Sequence, residues 1–99
     1  MGMVNGQKFN VVYVIDMPPV AEMNTGEIFI SLKHRLCNHL CPCGCSNEVS
    51  IPLAAPGETS PEEWAVDGPY TSPTFSPSLL NRFDCKSHYF IKNGKVEWA

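Results

Sequence analysis

The stretch Cys41-Pro-Cys-Gly-Cys45 places three thiols at alternate positions of one tight segment. Later in the chain, Cys85-Lys-Ser-His88 supplies a fourth thiol and an imidazole. Pro42 and Gly44 permit a sharp bend, so that neighbouring sulfur atoms can turn toward one centre. A metal ion can then join these two distant segments and stabilise a small fold. The sequence therefore predicts a metal site on which the fold depends.

The predicted ligands of this site are four thiolates, those of Cys41, Cys43, Cys45 and Cys85. His88 and His39 remain alternative ligands. Zinc is the expected metal because it suits a closed tetrahedral set of thiolates, with or without one imidazole. A two-iron iron-sulfur cluster is the other possibility, since cysteines with histidine can also hold one. The fifth cysteine, Cys37, is expected to be a small apolar residue of the interior.

Length and composition indicate one folded unit, which we predict to be a single zinc-stapled domain over residues 1–99. Apolar residues make up 43% of the 99 residues and charged residues 17%, as in ordinary globular proteins. A chain of this size buries only about two-thirds of its unfolded surface, so a metal would add useful stability. The formal charge is -3 and no basic run is present, which argues against nucleic acid as a partner.

The N-terminal residues lack the charged start and long apolar run of a secretory signal, and no stretch is long enough to cross a membrane. We therefore expect a cytoplasmic protein that does not act at a membrane. In a reducing compartment, clustered thiols indicate a metal or catalytic site rather than disulfides.

Patterns of apolar residues predict mostly strands and turns. Residues 8–15 are rich in β-branched and aromatic side chains, and residues 27–32 and 49–53 alternate apolar residues in the manner of strands. Pro52 places the third of these strands at a sheet edge. Residues 54–73 predict a long loop, interrupted by a helical turn at Ser60-Pro-Glu-Glu63, with Trp64 packing inward.

The C-terminal stretch predicts a β-hairpin. Asn93-Gly94 separates two alternating apolar runs, within residues 88–92 and 95–98, and favours the mirror-image turn that matches strand twist. The predicted fold class is accordingly mainly β: a small single-domain sheet with a zinc knuckle, formed by residues 41–45, and a C-terminal β-hairpin.

Several short motifs resemble, in the same order, those of a small bacterial family known as domain of unknown function 6527. They are His39-Leu-Cys-Pro-Cys-Gly-Cys45, Ile51-Pro-Leu53, Ser76-Pro-Ser-Leu-Leu-Asn81, Cys85-Lys-Ser-His-Tyr-Phe-Ile91 and Val96-Glu-Trp-Ala99. The resemblance extends from about residue 27 to the end. It implies partners in bacterial ubiquitin-like conjugation, namely a ubiquitin-like modifier and its E1-like or E2-like proteins. It also implies a peptidase that processes the modifier or removes it from its targets.

A serine peptidase would need a nucleophile and a base. Ser78, in the motif Pro-Ser-x-x-Asn, is the expected nucleophile, with His88 as the base and Asn81 as an amide that orients an intermediate. Asp67 or Asp84 could be the third group. This assignment requires four cysteines to complete the metal site, because a metal-bound His88 would not be free to take a proton. In that case His39 would be the remaining candidate base.

Simpler interpretations stand beside these assignments. Ser78 after a proline is commonly a turn residue, and Asp67 before Gly68 is a turn former. His34 is expected at the surface. A protein of another class, a zinc-binding module that holds its partner without reacting, fits the same residues, and an iron-sulfur electron-transfer protein fits them less well. Hydrolytic zinc chemistry is disfavoured because no His-Glu-x-x-His motif is present and thiolates reduce the Lewis acidity of the ion.

A peptidase of this size would have to recognise an extended C-terminal tail, which could pair as an added strand beside Pro52 or beside the final hairpin.

Overall fold

The computed structural model describes residues 2–55, 58, 62–81 and 83–99. These residues form mainly β-strands, together with one short 3-10 turn over Val20–Glu22, so that the predicted fold class is confirmed. The strands in chain order are β1 Asn10–Tyr13, β2 Glu27–Ser31, β3 Leu36–Leu40, β4 Glu48–Pro52, β5 Ala65–Asp67, β6 Thr74–Ser76, β7 Leu79–Leu80, β8 His88–Lys92 and β9 Lys95–Trp98.

Three sheets are formed by these strands. The first has the order β1-β2-β3-β4, with β1 and β2 parallel and the remaining pairs antiparallel. The second pairs β5 with β6, and the third has the antiparallel order β7-β8-β9. Within the described residues β4 pairs along its length with β3 alone, which confirms the edge position predicted from Pro52.

The C-terminal hairpin, β8 and β9, is confirmed. Its turn residues Asn93 and Gly94 have φ of 52° and 73°, as the mirror-image type I′ turn requires. A Cβ on Gly94 would lie 3.1 Å from Cα of Ser72, so a glycine is needed here for space as well as for its backbone conformation.

The main core lies between the first sheet and the third sheet, β7-β8-β9, which we call the hairpin sheet. It contains Ile28 and Ile30 from β2, Tyr89 and Ile91 from β8, and Phe9, all buried. Cys37 is also buried there, as expected for an apolar role.

The predicted strand over residues 8–15 is wrong at both ends, because the chain changes sheets inside it. Gly6 and Phe9 donate backbone hydrogen bonds to Val96 and Gly94 of the hairpin, whereas β1 begins at Asn10 and pairs with β2. Lys8 forms only an isolated bridge to Lys95. One apolar run therefore serves two sheets.

The loop predicted over residues 54–73 contains strand β5, so that part of the prediction is wrong. This three-residue strand is fixed by pairing with β6 and by a parallel bridge between Leu53 and Trp64, not by local sequence. Trp64 is half-buried against the main core, in agreement with the inward packing expected. The helical turn predicted at residues 60–63 includes positions outside the described residues.

Candidate active site and metal centre

Four cysteine sulfur atoms converge beside the end of β3. The Sγ atoms of Cys41, Cys43, Cys45 and Cys85 all lie within 4.8 Å of one another. Cys41 Sγ is 3.4 Å from Cys43 Sγ, and Cys85 Sγ is 3.7 Å from the sulfur atoms of both Cys41 and Cys45. A tetrahedral zinc ion with Zn–S bonds of about 2.3 Å separates its sulfur ligands by about 3.8 Å. The group can therefore hold a metal ion of that size.

Two turns present these thiols. Cys41 follows β3, and its amide donates to the carbonyl of Asn47, which closes the knuckle of residues 41–45. Gly44 and Ser46, with φ of 91° and 65°, provide the left-handed backbone that reverses the chain. Cys85 lies in the turn before β8. As predicted, the start of the hairpin segment packs against the knuckle.

The thiols of the cluster differ in their pKa values. Burial raises the pKa of the Cys41 thiol to about 12, whereas hydrogen bonding to Ser87 lowers the pKa of the exposed Cys85 thiol to about 6. Four thiolates this close together would repel one another unless a cation lay between them. Soft sulfur donors in this number suit zinc or an iron centre.

Polar side chains hold the cluster in place. The Asn81 amide donates to Cys41 Sγ at 3.2 Å and to the Tyr89 hydroxyl at 3.3 Å. The Ser87 hydroxyl lies 3.4 Å from Sγ of both Cys41 and Cys85. At the exposed side, Asn47 Nδ2 donates to Cys45 Sγ at 3.3 Å. Such contacts orient metal ligands and moderate their charge.

His39 lies outside the cluster of four thiols. It is fully buried in β3, and its Nε2 is 2.7 Å from the Tyr89 hydroxyl, while Nδ1 has no hydrogen-bond partner in the described part of the chain. Burial lowers the pKa of His39 to about 4, so the ring is neutral near pH 7. Because His39 is buried and bonds to Tyr89, its role here is packing and hydrogen bonding within the core.

Ser78 and His88 meet on the face of the hairpin sheet that is opposite the thiol cluster. Ser78 Oγ lies 2.8 Å from His88 Nε2. The register explains the contact: Leu80 of β7 pairs with His88 of β8, and Ser78 is two residues before Leu80, so that its side chain is on the same face. His88 is exposed and Ser78 is half-buried, which leaves the pair open to a substrate.

The other predicted site residues are elsewhere. The Asn81 side chain lies on the inner face with Tyr89 and points to the thiol cluster rather than to the Ser78–His88 pair. Asp67 and Asp84 are exposed, and neither shows a contact with His88 within the described ranges. His34 is at the surface, where Nε2 lies 3.2 Å from Asp16 Oδ1.

Sequence reasoning missed two supporting residues, Ser87 and Tyr89. Ser87 could have been found from its spacing: it is two residues after Cys85, and the two side chains share a face if the segment is extended. Nothing in the sequence indicates the role of Tyr89, because its partner His39 is distant in sequence and the two meet only through sheet packing.

The fold and site define a small β protein with a four-cysteine cluster on one face of a sheet and a Ser–His pair on the other. Over residues 13–99 the chain matches the family described as "Bacterial ubiquitination-like system serine protease (BubE)", and it belongs to that family. This match confirms the expected association with a bacterial ubiquitin-like system. It does not confirm the resemblance to domain of unknown function 6527, because the matching family is a differently named one. No curated protein and no solved structure matches the chain significantly.

Among the described residues, no helix has the length and apolar character needed to cross a membrane.

Proposed function

We propose that this chain is a serine peptidase with a structural zinc ion, which processes or removes the modifier of a bacterial ubiquitin-like pathway in the cytoplasm. The partners are the modifier and the E1-like or E2-like proteins that carry it. The proposal includes two further points: that the chain is related to domain of unknown function 6527, and that residues 1–99 form one zinc-stapled domain. The 2.8 Å contact between Ser78 Oγ and His88 Nε2 is the observation that carries it.

The reaction uses acyl transfer to Ser78. His88 accepts the hydroxyl proton as Ser78 Oγ attacks the carbonyl carbon after the last modifier residue. When the C–N bond breaks, His88 returns the proton to the leaving amine, and the modifier remains as an ester on Ser78. A water molecule, deprotonated by His88, then attacks the ester, and His88 passes that proton to Ser78 Oγ as the ester bond breaks and the modifier carboxylate is released.

The four thiols of Cys41, Cys43, Cys45 and Cys85 would hold zinc, which supplies cross-linking of the fold rather than catalysis. His88 is outside this set, so it can act as the base. The catalytic role predicted for Asn81 stays a prediction, and its bond to Cys41 Sγ favours a role in fixing the cluster.

The test is cleavage of a ubiquitin-like modifier fused to a C-terminal reporter. Ser78→Ala should slow cleavage at least about a thousandfold, because the nucleophile is lost. Ser76→Ala is the matched control: Ser76 is exposed, lies two residues away and should leave the rate unchanged. If Ser78→Ala cleaves as fast as Ser76→Ala, Ser78 is not the nucleophile.

A non-catalytic zinc-binding module is the second candidate. It is favoured by one observation, that no carboxylate orients His88 among the residues described. Partner binding with normal affinity and no turnover of any fusion would support this candidate. Metal analysis separates both from an iron-sulfur protein, because a colourless preparation containing zinc excludes the cluster and a coloured one, bleached by reductant, supports it.

A further inference from the structure

Two strand edges face one groove, whose lining includes Leu79, the residue after Ser78. The groove has a volume of about 290 Å³ and is lined by residues 48–51 on one side and 79–81 on the other. These segments belong to β4 and to β7 with its neighbour Asn81, which are the outermost strands of their sheets on this side. Trp64 and Phe83 complete the lining.

The register shows which backbone groups of β4 face the groove. Leu53 N donates to Arg35 O and Cys41 N donates to Asn47 O, both at 2.8 Å, so the odd-numbered residues of this strand bond to β3. Because bonding alternates along an antiparallel pair, Glu48, Ser50 and Pro52 direct their backbone groups outward. Pro52 confirms this, since its carbonyl accepts from the amide of Trp64.

The same reasoning applies to β7. Asn81 N donates to Ser87 O at 2.8 Å, so Asn81 and Leu79 bond to β8, and Leu80 directs its N–H and C=O away from it. Among the described residues, no partner is recorded for the outward groups of Glu48, Ser50 or Leu80. Exposed edges of this kind accept an added strand.

Trp64 also lines the groove. Its indole Nε1 is buried beneath the surface and makes no hydrogen bond with the described residues, so it reports on the wall of the groove rather than offering a donor to a ligand.

The two edges run in opposite directions. Asn81 bonds to Cys41, beside the start of β4, whereas Ser76 pairs with Ala65, next to Trp64 at the end of β4. A strand between them would pair parallel with one edge and antiparallel with the other. It would also end beside Ser78, which directly precedes β7.

We propose that the groove between β4 and β7 binds the extended C-terminal tail of the modifier as an added β-strand, bonded to Glu48, Ser50 and Leu80, and so delivers its scissile bond to Ser78. This inference rests on the proposed function. It adds the substrate class, an extended peptide recognised through its backbone, and the place where it binds.

The inner wall of the groove predicts which side chains the tail carries. Val49, Ile51 and Leu79 are buried and lie on the inner face, while Ser50 and Leu80 are on the outer face. Side chains of an added strand alternate between these faces. Every second tail residue therefore meets an apolar wall and has to be small or apolar.

Ser50→Pro tests the backbone contact directly. It removes the N–H that faces the groove but none of the backbone hydrogen bonds to β3, as the natural Pro52 does two residues further on. Ser50→Ala is the matched control, since both variants lose the hydroxyl bond to Asn38 and only the proline loses the N–H. Both are made in the zinc-loaded full chain and checked by circular dichroism.

Binding is measured by NMR on ¹⁵N-labelled Ser78→Ala protein, with a synthetic peptide of the last eight residues of the modifier. We expect shifts at the amides of Glu48, Ser50 and Leu80 and at the indole N–H of Trp64. Adding Ser50→Pro should weaken binding about fivefold or more, and adding Ser50→Ala less than twofold. Equal affinities for the two variants, no binding, or shifts confined to residues outside the groove would overturn the proposal.

A second set of peptides keeps the test independent of variant folding. N-methylation of the tail residues before the cleavage point should weaken binding to the otherwise unaltered Ser78→Ala protein about fivefold, since each amide faces one of the two edges. No loss would contradict strand addition. Binding in the groove without cleavage by the unmutated protein would refute the proposed peptidase alone, and cleavage unaffected by Ser50→Pro would refute the groove alone.

Discussion

The hydroxyl of Tyr89 provides the most quantitative test of how the core is held together. Tyr89 is fully buried, and its hydroxyl lies 2.7 Å from His39 Nε2 and 3.3 Å from Asn81 Nδ2. Because no described residue bonds to His39 Nδ1, Tyr89→Phe would leave the buried imidazole without a hydrogen bond to any of them. A buried polar group left in this state costs about 1–3 kcal/mol.

We therefore expect Tyr89→Phe to lower the free energy of unfolding by about 1–3 kcal/mol, since the imidazole loses its bond and one Asn81 N–H loses its acceptor, while the other keeps its bond to Cys41. In a domain of this size each kcal/mol shifts Tm by roughly 4–8 °C. The assay is urea and thermal unfolding of the zinc-loaded protein, followed by far-UV circular dichroism.

The chain contains its own control, Tyr13→Phe. The hydroxyl of Tyr13 donates to the carbonyl of Tyr70 at 2.9 Å, but the bond is exposed, so water replaces it and the cost should be within about 0.5 kcal/mol. A double replacement, His39→Leu with Tyr89→Phe, should recover part of the loss because no unpaired imidazole remains. Equal stability of the two Tyr→Phe variants would refute the argument that burial decides the cost.

Three further predictions concern the metal, the base and a turn. Cys41→Ser should lose bound zinc on dialysis, measured by atomic emission, while Cys37→Ala keeps it because Cys37 lies outside the cluster; equal retention would contradict the ligand assignment. His88→Gln should lower kcat by about a thousandfold with zinc content unchanged, and lost zinc would instead make His88 a ligand. Gly94→Ala should cost about 1–3 kcal/mol in urea unfolding, and more than Gly6→Ala, because both glycines have positive φ but only Gly94 also faces backbone at 3.1 Å. A greater loss of stability from Gly6→Ala than from Gly94→Ala would contradict the argument that the close backbone at Gly94 adds to the cost.

The features predicted correctly from sequence are those with a local cause. The hairpin follows from Asn93-Gly94 between alternating runs, and the meeting of the thiols follows from their spacing and softness. The strand β3 could not be predicted, because residues 37–40 are all buried and include the polar Asn38 and His39, so the sequence shows no alternation. Their burial depends on partners such as Glu48 and Tyr89, which only the folded sheets supply.

The proximity of Ser78 and His88 was predicted from their motifs, but not the reason for it. That reason is the period of two residues along a strand, which also separates the pair from the cluster. Asn81 was grouped with Ser78 because both belong to one short motif. Since three residues separate them, their side chains leave β7 on opposite faces, and a motif read without its strand register hides this difference.

The alternation of side chains also connects the two sites physically. Directly before β7, Ser78 faces outward, and directly after it Asn81 bonds to Cys41. At the start of β8, His88 faces outward, while Ser87 just before it contacts Cys41 and Cys85. The two segments that carry the Ser–His pair are thus tied, within three residues, to the thiols. A metal bound there would fix the spacing of the two strands and hence the distance between Oγ and Nε2. In the proposed peptidase, the metal would then support catalysis without touching the substrate.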